Sequence, residues 1–343
     1  MTPDDLRERL ERFIARAADA AEVRVENLRK LPGGASRQTW SLDASYTHGG
    51  TPVRLPLVLR RDPGSSTLNT QRREEFLVQQ AAYAGAVPVP RPYWLAEDAE
   101  ALGAPSYLMQ RVEGETLARR LLRDDDYAQA RQVMTAQLGE ILARIHRVDV
   151  GRHGLDFLPA PPPGESPAPA EIDRYEQIYR GVAPEPHPAF ELAFRWLRQH
   201  LPATGARTLV HGDYRIGNVI FGPEGVRAIL DWELAHIGDP AEDLGWLCVR
   251  AWRFGSDDKP VGGIGTREQL LAAYEEAGGA AVDLQRVRFW EVFGNLKWAI
   301  ICIVQAKTHL DGLVRSVELA AIGRRTAETE IELLNLISEP PPR

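Results

Sequence analysis

With 343 residues, 44% of them hydrophobic and 26% charged, the chain has the make-up of a folded soluble protein. The length suits one large domain or two lobes sharing a cleft. A net charge of −7 speaks against a general nucleic-acid binder, because no overall positive field meets phosphates. Cys248 and Cys302 both sit in apolar stretches and read as reduced, buried thiols rather than zinc ligands. The charged start MTPDDLRERLERF lacks the apolar core of a secretory signal, and no apolar run reaches membrane-spanning length. The expectation is a cytoplasmic protein with no membrane partner; the sequence leaves the oligomeric state open.

Helical spacing of Leu6, Leu10, Phe13, Ile14 and Ala17 predicts an amphipathic helix over 3–21 that starts at Thr2-Pro3. Val23–Leu31 is short and mixed. Pro32-Gly33-Gly34-Ala35-Ser36 is a turn, and Gln38–Leu42 is strand-like. A second turn at His48-Gly49-Gly50 leads to a strand at Leu55–Arg60. Residues 70–85 predict a helix that ends at a glycine. Val87–Pro92 is an extended proline-rich turn, and Pro105–Val112 is an apolar strand. Residues 1–112 thus form an antiparallel sheet carrying a helix, an α+β lobe.

From residue 113 the pattern is mainly helical. One helix starts near Leu117. Another spans Ala128–His146, with Met134, Leu138, Ile141, Leu142 and Ile145 on one stripe. Prolines at 159, 161, 162, 163, 167 and 169 predict an irregular connection over 156–170. Helices follow at 171–180 and 188–200. Val226–Leu230 pairs with Asn218–Phe221 as a hairpin, and from 240 the chain is helical apart from a glycine-rich loop at 261–265. Residues 113–343 form the second lobe.

The chemistry concentrates in His211-Gly212-Asp213-Tyr214-Arg215-Ile216-Gly217-Asn218, followed across the hairpin by Asp231-Trp232-Glu233. Phosphoryl transfer needs a carboxylate beside the acceptor hydroxyl and cations that neutralise charge between the β- and γ-phosphates. Asp213 can accept or orient the hydroxyl proton. Asn218 and Asp231 offer the hard oxygen donors that suit Mg²⁺.

The set HGDxxxxN, then ILDWE, then GDPAEDLGWL resembles the aminoglycoside phosphotransferase-like family, relatives of the protein kinases, over about residues 25–335. A narrower similarity runs to the kinase-like domains attached to some acyl-CoA dehydrogenases and to bacterial hydroxyacyl-CoA kinases. The resemblance implies a bilobal protein-kinase-like fold, with an antiparallel-sheet N-lobe, a mainly helical C-lobe and ATP in the cleft. It implies Asp213 as the catalytic residue and Asn218 and Asp231 as Mg²⁺ ligands. His211 resembles a structural member of the catalytic loop, and Asp243 resembles the buried acid that braces it.

Supporting signals lie in the first lobe. Gly33 and Gly34 let backbone N–H groups approach phosphates, and Ser36 adds a hydroxyl. The turn is no Walker A loop, because no Gly-Lys-Ser/Thr follows. Where the family carries a phosphate-binding lysine this chain has Arg60, with Arg61 next to it. Its acidic partner is Glu75, or Glu74 if the register slips by one. By resemblance, residues 109–112 link the lobes, with Gln110 and Val112 reading adenine through their backbone.

The acceptor should meet the helices at 171–200 and 285–320 and the loop near 255–265. Tyr175, Tyr179, Trp252, Trp290 and Lys297 are the candidates. Lys297, in an otherwise apolar helix, must face a cavity, a carboxylate or an anionic ligand. The chain ends Ile337-Ser338-Glu339-Pro340-Pro341-Pro342-Arg343, unlike the acidic-aromatic end of many resistance members. That departure points to a small-molecule hydroxyl such as a hydroxyacyl-CoA, with Lys297 and Arg286–Arg288 suiting an anionic group. Alternatives are an aminoglycoside, macrolide or amino-alcohol (choline, homoserine) kinase, and a non-catalytic nucleotide-binding protein. A hydrolase would lack a nucleophile elbow, since no GxSxG occurs.

Overall fold

The computed structural model describes residues 1–31, 38–62, 72–183, 185–203 and 205–338. Two units emerge, one of Met1–Ala84 with Pro88–Glu113, the other of Gly85–Val87 with Gly114–Arg343.

In the first unit Thr2 caps α1 (Pro3–Ala17). Its hydroxyl accepts the Asp5 N–H at 3.2 Å, and the Asp5 carboxylate accepts the Thr2 N–H at 3.0 Å. The helix stops short of the expected residue 21, and Asp19 takes a left-handed φ of 46°. The sheet comprises β1 (Ala21–Lys30), β2 (Gln38–His48), β3 (Thr51–Arg61), β4 (Pro92–Ala96) and β5 (Ser106–Gln110). Its order is β1-β2-β3-β5-β4, and every pairing is antiparallel.

The mixed pattern of β1 has a physical cause. Its register slips twice, and Glu22 and Asn27 take left-handed φ values of 54° and 53° there, so alternation is lost. β4 went unrecognised because it opens on Pro92, which an edge strand tolerates and an inner one does not. Leu6, Leu10, Phe13 and Ile14 of α1 join Leu42, Leu57, Leu59 and Leu108 of the sheet in one core. Against the other cluster, Val58, Tyr107 and Met109, packs Phe76 of α2 (Arg72–Ala84). The short α3 (Ala99–Leu102) precedes β5.

The second unit begins with α4 (Ala118–Arg123), α5 (Ala128–Ile145), α6 (Pro167–Val182) and α7 (Pro188–Gln199). Helix α6 starts earlier than expected. Pro167 follows Ser166 at the first helical position, where a missing N–H does no harm, so two of the six prolines open a helix. Next come β6 (Thr208–Val210), β7 (Val219–Gly222), β8 (Gly225–Ile229) and β9 (His236–Gly238). β7 pairs with β8 as the expected hairpin, and β6 pairs with β9. The chain closes with α8 (Ala241–Leu247), α9 (Arg267–Glu276), α10 (Leu284–Leu310), α11 (Val317–Ile322) and α12 (Thr326–Ser338). α10 is 27 residues long and packs against α8, α11 and α12. Among the described residues no helix is long and apolar enough to cross a membrane.

Candidate active site

Strand β6 delivers the chain to His211, and a backbone reversal at Gly212 turns it toward Asp213. Gly212 has a φ of 78°, and a Cβ there would collide with the Leu234 carbonyl. Only glycine suits both demands. Asp243, in the first turn of α8, braces this reversal. Its Oδ2 accepts the His211 N–H at 2.8 Å and its Oδ1 accepts the Gly212 N–H at 2.9 Å. His146 Nε2 donates to the same carboxylate at 3.2 Å. Burial alone would raise the Asp243 pKa, but His146 and His211 outweigh it and hold the carboxyl below its usual range.

His211 is fully buried, and burial lowers its pKa, so the imidazole is neutral. Its Nε2 donates to the Leu230 carbonyl at 3.0 Å, and its Nδ1 accepts the Asp213 N–H at 3.2 Å. That pattern fixes the tautomer with the proton on Nε2.

Asp213 itself is 8% exposed. Its Oδ1 accepts Arg215 Nε at 3.0 Å and Trp246 Nε1 at 2.9 Å. Its Oδ2 accepts Asn218 Nδ2 at 2.6 Å. The Asn218 carbonyl accepts the Leu230 N–H at 2.8 Å, which ties the loop to the end of β8. Asp231 comes next and takes a left-handed φ of 69°. Asp213, Asn218 and Asp231 are thereby brought to one place, although the last is 18 positions from the first by numbering.

The Arg215 guanidinium lies 4.8 Å from the Trp252 ring. A Cβ on Gly217 would strike Arg215 Nη1, so the glycine leaves room for it. Sequence reasoning overlooked Arg215 and Trp246 as Asp213 partners. Arg215 lies inside the motif itself, two residues past Asp213, which was the available signal.

Lys297 is fully buried. Its Nζ donates to the Gly212 carbonyl at 2.9 Å and pairs with Glu242 Oε1 at 3.0 Å. Of the three surroundings expected for this lysine, the structure provides a carboxylate. Burial alone would lower its pKa, but Tyr175 and Glu242 raise it further, so the ammonium stays charged. Glu171, His236 and Glu242 gather nearby, and this buried set already has the Lys297 cation on Glu242.

The other acceptor candidates are interior residues. Tyr175 meets Phe293 edge-on at 5.6 Å. Tyr179 donates its hydroxyl to His187 Nδ1 at 3.1 Å. Trp290 donates Nε1 to Asp239 Oδ2 at 3.0 Å, and Trp252 packs on Trp246 and Trp298. All four are at most 4% exposed, so packing accounts for their positions, and Lys297 is engaged by Gly212 and Glu242. Arg286 binds Asp239 and Arg288 donates to the Leu336 carbonyl, so both are tied to internal partners rather than held ready for an anion.

In the sheet unit, Arg60 Nη1 lies 2.9 Å from Glu75 Oε1, with both side chains mostly buried. Arg72 binds Glu75 at 2.5 Å and Asp62 at 3.0 Å, and the Tyr107 hydroxyl donates to Glu75 Oε1 at 2.9 Å. Glu75, not the half-buried Glu74, faces Arg60. Arg61 turns away and donates to the Leu102 carbonyl at 3.0 Å. Gln110 ends β5 with an exposed side chain, and Val112 lies just beyond, half-buried. Gly33, Gly34 and Ser36 lie outside the described residues.

The family model described as the phosphotransferase enzyme family matches residues 27–290. Acyl-CoA dehydrogenase family member 10 from Mus musculus is 35% identical over 324 residues, which span 90% of this chain and 30% of the relative. Acyl-CoA dehydrogenase family member 11 from Pongo abelii is 28% identical over 323 residues, 88% of this chain and 41% of the relative. The chain therefore spans well under half the length of these relatives. A solved structure from Ralstonia eutropha, provisionally named an aminoglycoside phosphotransferase, is 25% identical with a TM-score of 0.76, covering 96% of this chain and 97% of that one. An aminoglycoside phosphotransferase solved as a ternary complex with AMP-PNP and hygromycin B shares the fold at a TM-score of 0.57 and 16% identity, over 96% of this chain and 97% of its own. The chain belongs to the phosphotransferase enzyme family, and it is a small-molecule phosphotransferase of kinase-like α+β fold.

Proposed function

We propose that the protein is an ATP- and Mg²⁺-dependent kinase that transfers the γ-phosphoryl group to the hydroxyl of a small molecule, a hydroxyacyl-CoA or a related organic alcohol. The observation that carries this reading is the hydrogen-bonded cluster of Asp213, Asn218 and the Leu230–Asp231 junction. Asp213 Oδ1 already receives two N–H donors, whereas Oδ2 receives one and keeps a lone pair for an incoming hydroxyl. The acceptor oxygen bonds to the γ-phosphorus, the bond to the β-phosphate oxygen breaks, ADP leaves, and the hydroxyl proton passes to Asp213.

The Asn218 amide oxygen and the Asp231 carboxylate are the hard donors that would hold Mg²⁺. The bound ion supplies neutralisation of charge on the phosphates. Arg60, oriented by Glu75, is proposed as a phosphate contact. The Gly33, Gly34 and Ser36 turn and the Gln110–Val112 backbone are proposed as further nucleotide contacts. His211 and Asp243 support the loop and take no part in the transfer. The acceptor class is supported by the kinship with acyl-CoA dehydrogenase family members.

The test is ATP consumption with Mg²⁺ across hydroxyacyl-CoAs, choline, homoserine and aminoglycosides, for wild type and Asp213→Ala. Turnover of a hydroxyacyl-CoA that vanishes in the variant is expected. Turnover of an aminoglycoside or amino alcohol instead reassigns the acceptor. Turnover that survives in Asp213→Ala removes Asp213 from the mechanism.

A further inference from the structure

The peptide unit that joins Gly212 to Asp213 is held at both ends. Its N–H donates to His211 Nδ1 at 3.2 Å, and its carbonyl accepts Lys297 Nζ at 2.9 Å. The residue at its start is a glycine with a φ of 78°, which has no side chain to resist rotation of the unit. Hydrogen bonds therefore select the orientation of this unit, and with it the direction in which Asp213 leaves the backbone.

The same ammonium lies 4.7 Å from the Trp246 ring, and Trp246 Nε1 donates to Asp213 Oδ1 at 2.9 Å. A cation over the ring draws electron density from the indole and makes its N–H a stronger donor. Lys297 thus bears on Asp213 by two routes, through the backbone just before it and through the indole that holds its carboxylate. Lys297 is fully buried and Trp246 is 1% exposed, so water does not loosen either route.

Stability alone does not call for this cation. A buried lysine–glutamate pair loses in desolvation much of what it gains in attraction, and apolar residues of similar volume often serve as well or better. Lys297 Nζ and Glu242 Oε1, 3.0 Å apart, are such a pair. An apolar pair would fill the same space. It would leave the Gly212 carbonyl without its donor and the Trp246 ring without its cation.

We propose that Lys297 is a positioning residue for phosphoryl transfer: through the Gly212 carbonyl and the Trp246 indole it sets the angle at which the Asp213 carboxylate meets the acceptor hydroxyl. The inference rests on the kinase reading and adds to the transfer step a residue on α10, far outside the motif. A misaligned base slows the chemical step and leaves nucleotide binding alone, so the effect belongs to kcat.

Two variants separate this role from a structural one. Lys297→Met strands the Glu242 carboxylate, and the lost stability obscures the reading. Lys297→Met/Glu242→Leu removes both charges. ATP consumption with Mg²⁺ is measured on the full chain against hydroxyacyl-CoAs, choline, homoserine and aminoglycosides, with urea denaturation of the same samples. The double variant is expected to be more stable than the single one, while its kcat stays at least ~10-fold below wild type and its KM for ATP within ~2-fold of it. A lysine that serves stability alone predicts recovery of kcat together with stability. A second readout needs no acceptor. The Trp246 indole N–H resonance, identified by its loss in Trp246→Phe, is expected to move upfield in the double variant as its bond to Asp213 weakens. Wild-type kcat in the double variant, or an unmoved Trp246 resonance there, overturns the assignment. If wild type turns over no acceptor in an Asp213-dependent way, the kinase reading fails and the inference falls with it, a result distinct from the other two.

Discussion

Lys297 Nζ reaches from the middle of α10 to the carbonyl of Gly212, 2.9 Å away, and so grips the residue immediately before Asp213. The same ammonium pairs with Glu242, which His236 Nε2 also contacts, at 3.1 Å. Trp246 lies under the ammonium at 4.7 Å and also donates to Asp213. The long central helix, α8 and the loop that holds the proposed base are thus joined through one buried cation.

Replacing Lys297 with Met leaves the Glu242 carboxylate buried beside His236 alone and the Gly212 carbonyl without its donor. We expect a loss of about 3–5 kcal/mol, read by urea denaturation. The double variant Lys297→Met/Glu242→Leu should lose less than the single one, because the unpaired charge is gone. If the double variant is the less stable of the two, the buried pair is not what the lysine serves.

Asp213→Ala should lower kcat by about a hundredfold to ten-thousandfold while leaving thermal stabilisation by Mg²⁺ and AMP-PNP in place. Arg215→Ala should lower kcat by roughly tenfold or more, because one of two donors that orient Asp213 Oδ1 is lost. Gly217→Ala should behave in the same direction, since the added methyl displaces the Arg215 guanidinium. Full activity in both Arg215→Ala and Gly217→Ala would show that Trp246 on Oδ1 and Asn218 on Oδ2 suffice to orient Asp213.

The residues that read well from sequence are those whose geometry is local. His211 to Asn218 is one loop, and Asp231 follows a hairpin whose turn and alternation are visible. What the sequence hid depends on distant segments. Glu74 and Glu75 differ only by their rotation about α2, so only the packed helix settles which one meets Arg60. Lys297 drew notice as a charge in an apolar helix, but its partner Glu242 lies 55 positions away. Tyr179 and Trp290 looked like acceptor contacts because aromatic spacing is the same for core and pocket.

In the sheet unit Glu75 accepts from Arg60, Arg72 and Tyr107 together. Glu75→Ala would leave two buried arginines and a buried phenol short of a partner. A destabilisation of about 3 kcal/mol or more is expected, with a raised KM for ATP as Arg60 loses its orientation. Tyr107→Phe removes only the neutral donor and should lose about 1 kcal/mol with KM unchanged. Equal effects on KM from both variants would mean that general loosening, rather than the aim of Arg60, is being measured.

The His236–Glu242–Lys297 network also predicts a stability profile in pH. Burial raises the Glu242 pKa, but Lys297 and His236 lower it more, so it lies below its ordinary 4.5. Its contribution is present above about 4.5 and is lost as pH falls through the lower folded value. Burial lowers the His236 pKa, but Glu242 and then Glu171 raise it above 6.5, with Lys297 opposing. That contribution is complete below about 6.5 and is lost as pH rises through the higher folded value. Unfolding free energy from this network should therefore be greatest between the two ordinary values and decline on both sides. His236→Gln keeps the polar contact but cannot titrate, so it should flatten the alkaline limb and shrink the acid limb without abolishing it, because Lys297 still lowers the Glu242 pKa. An unchanged alkaline limb in that variant would assign the decline to another group.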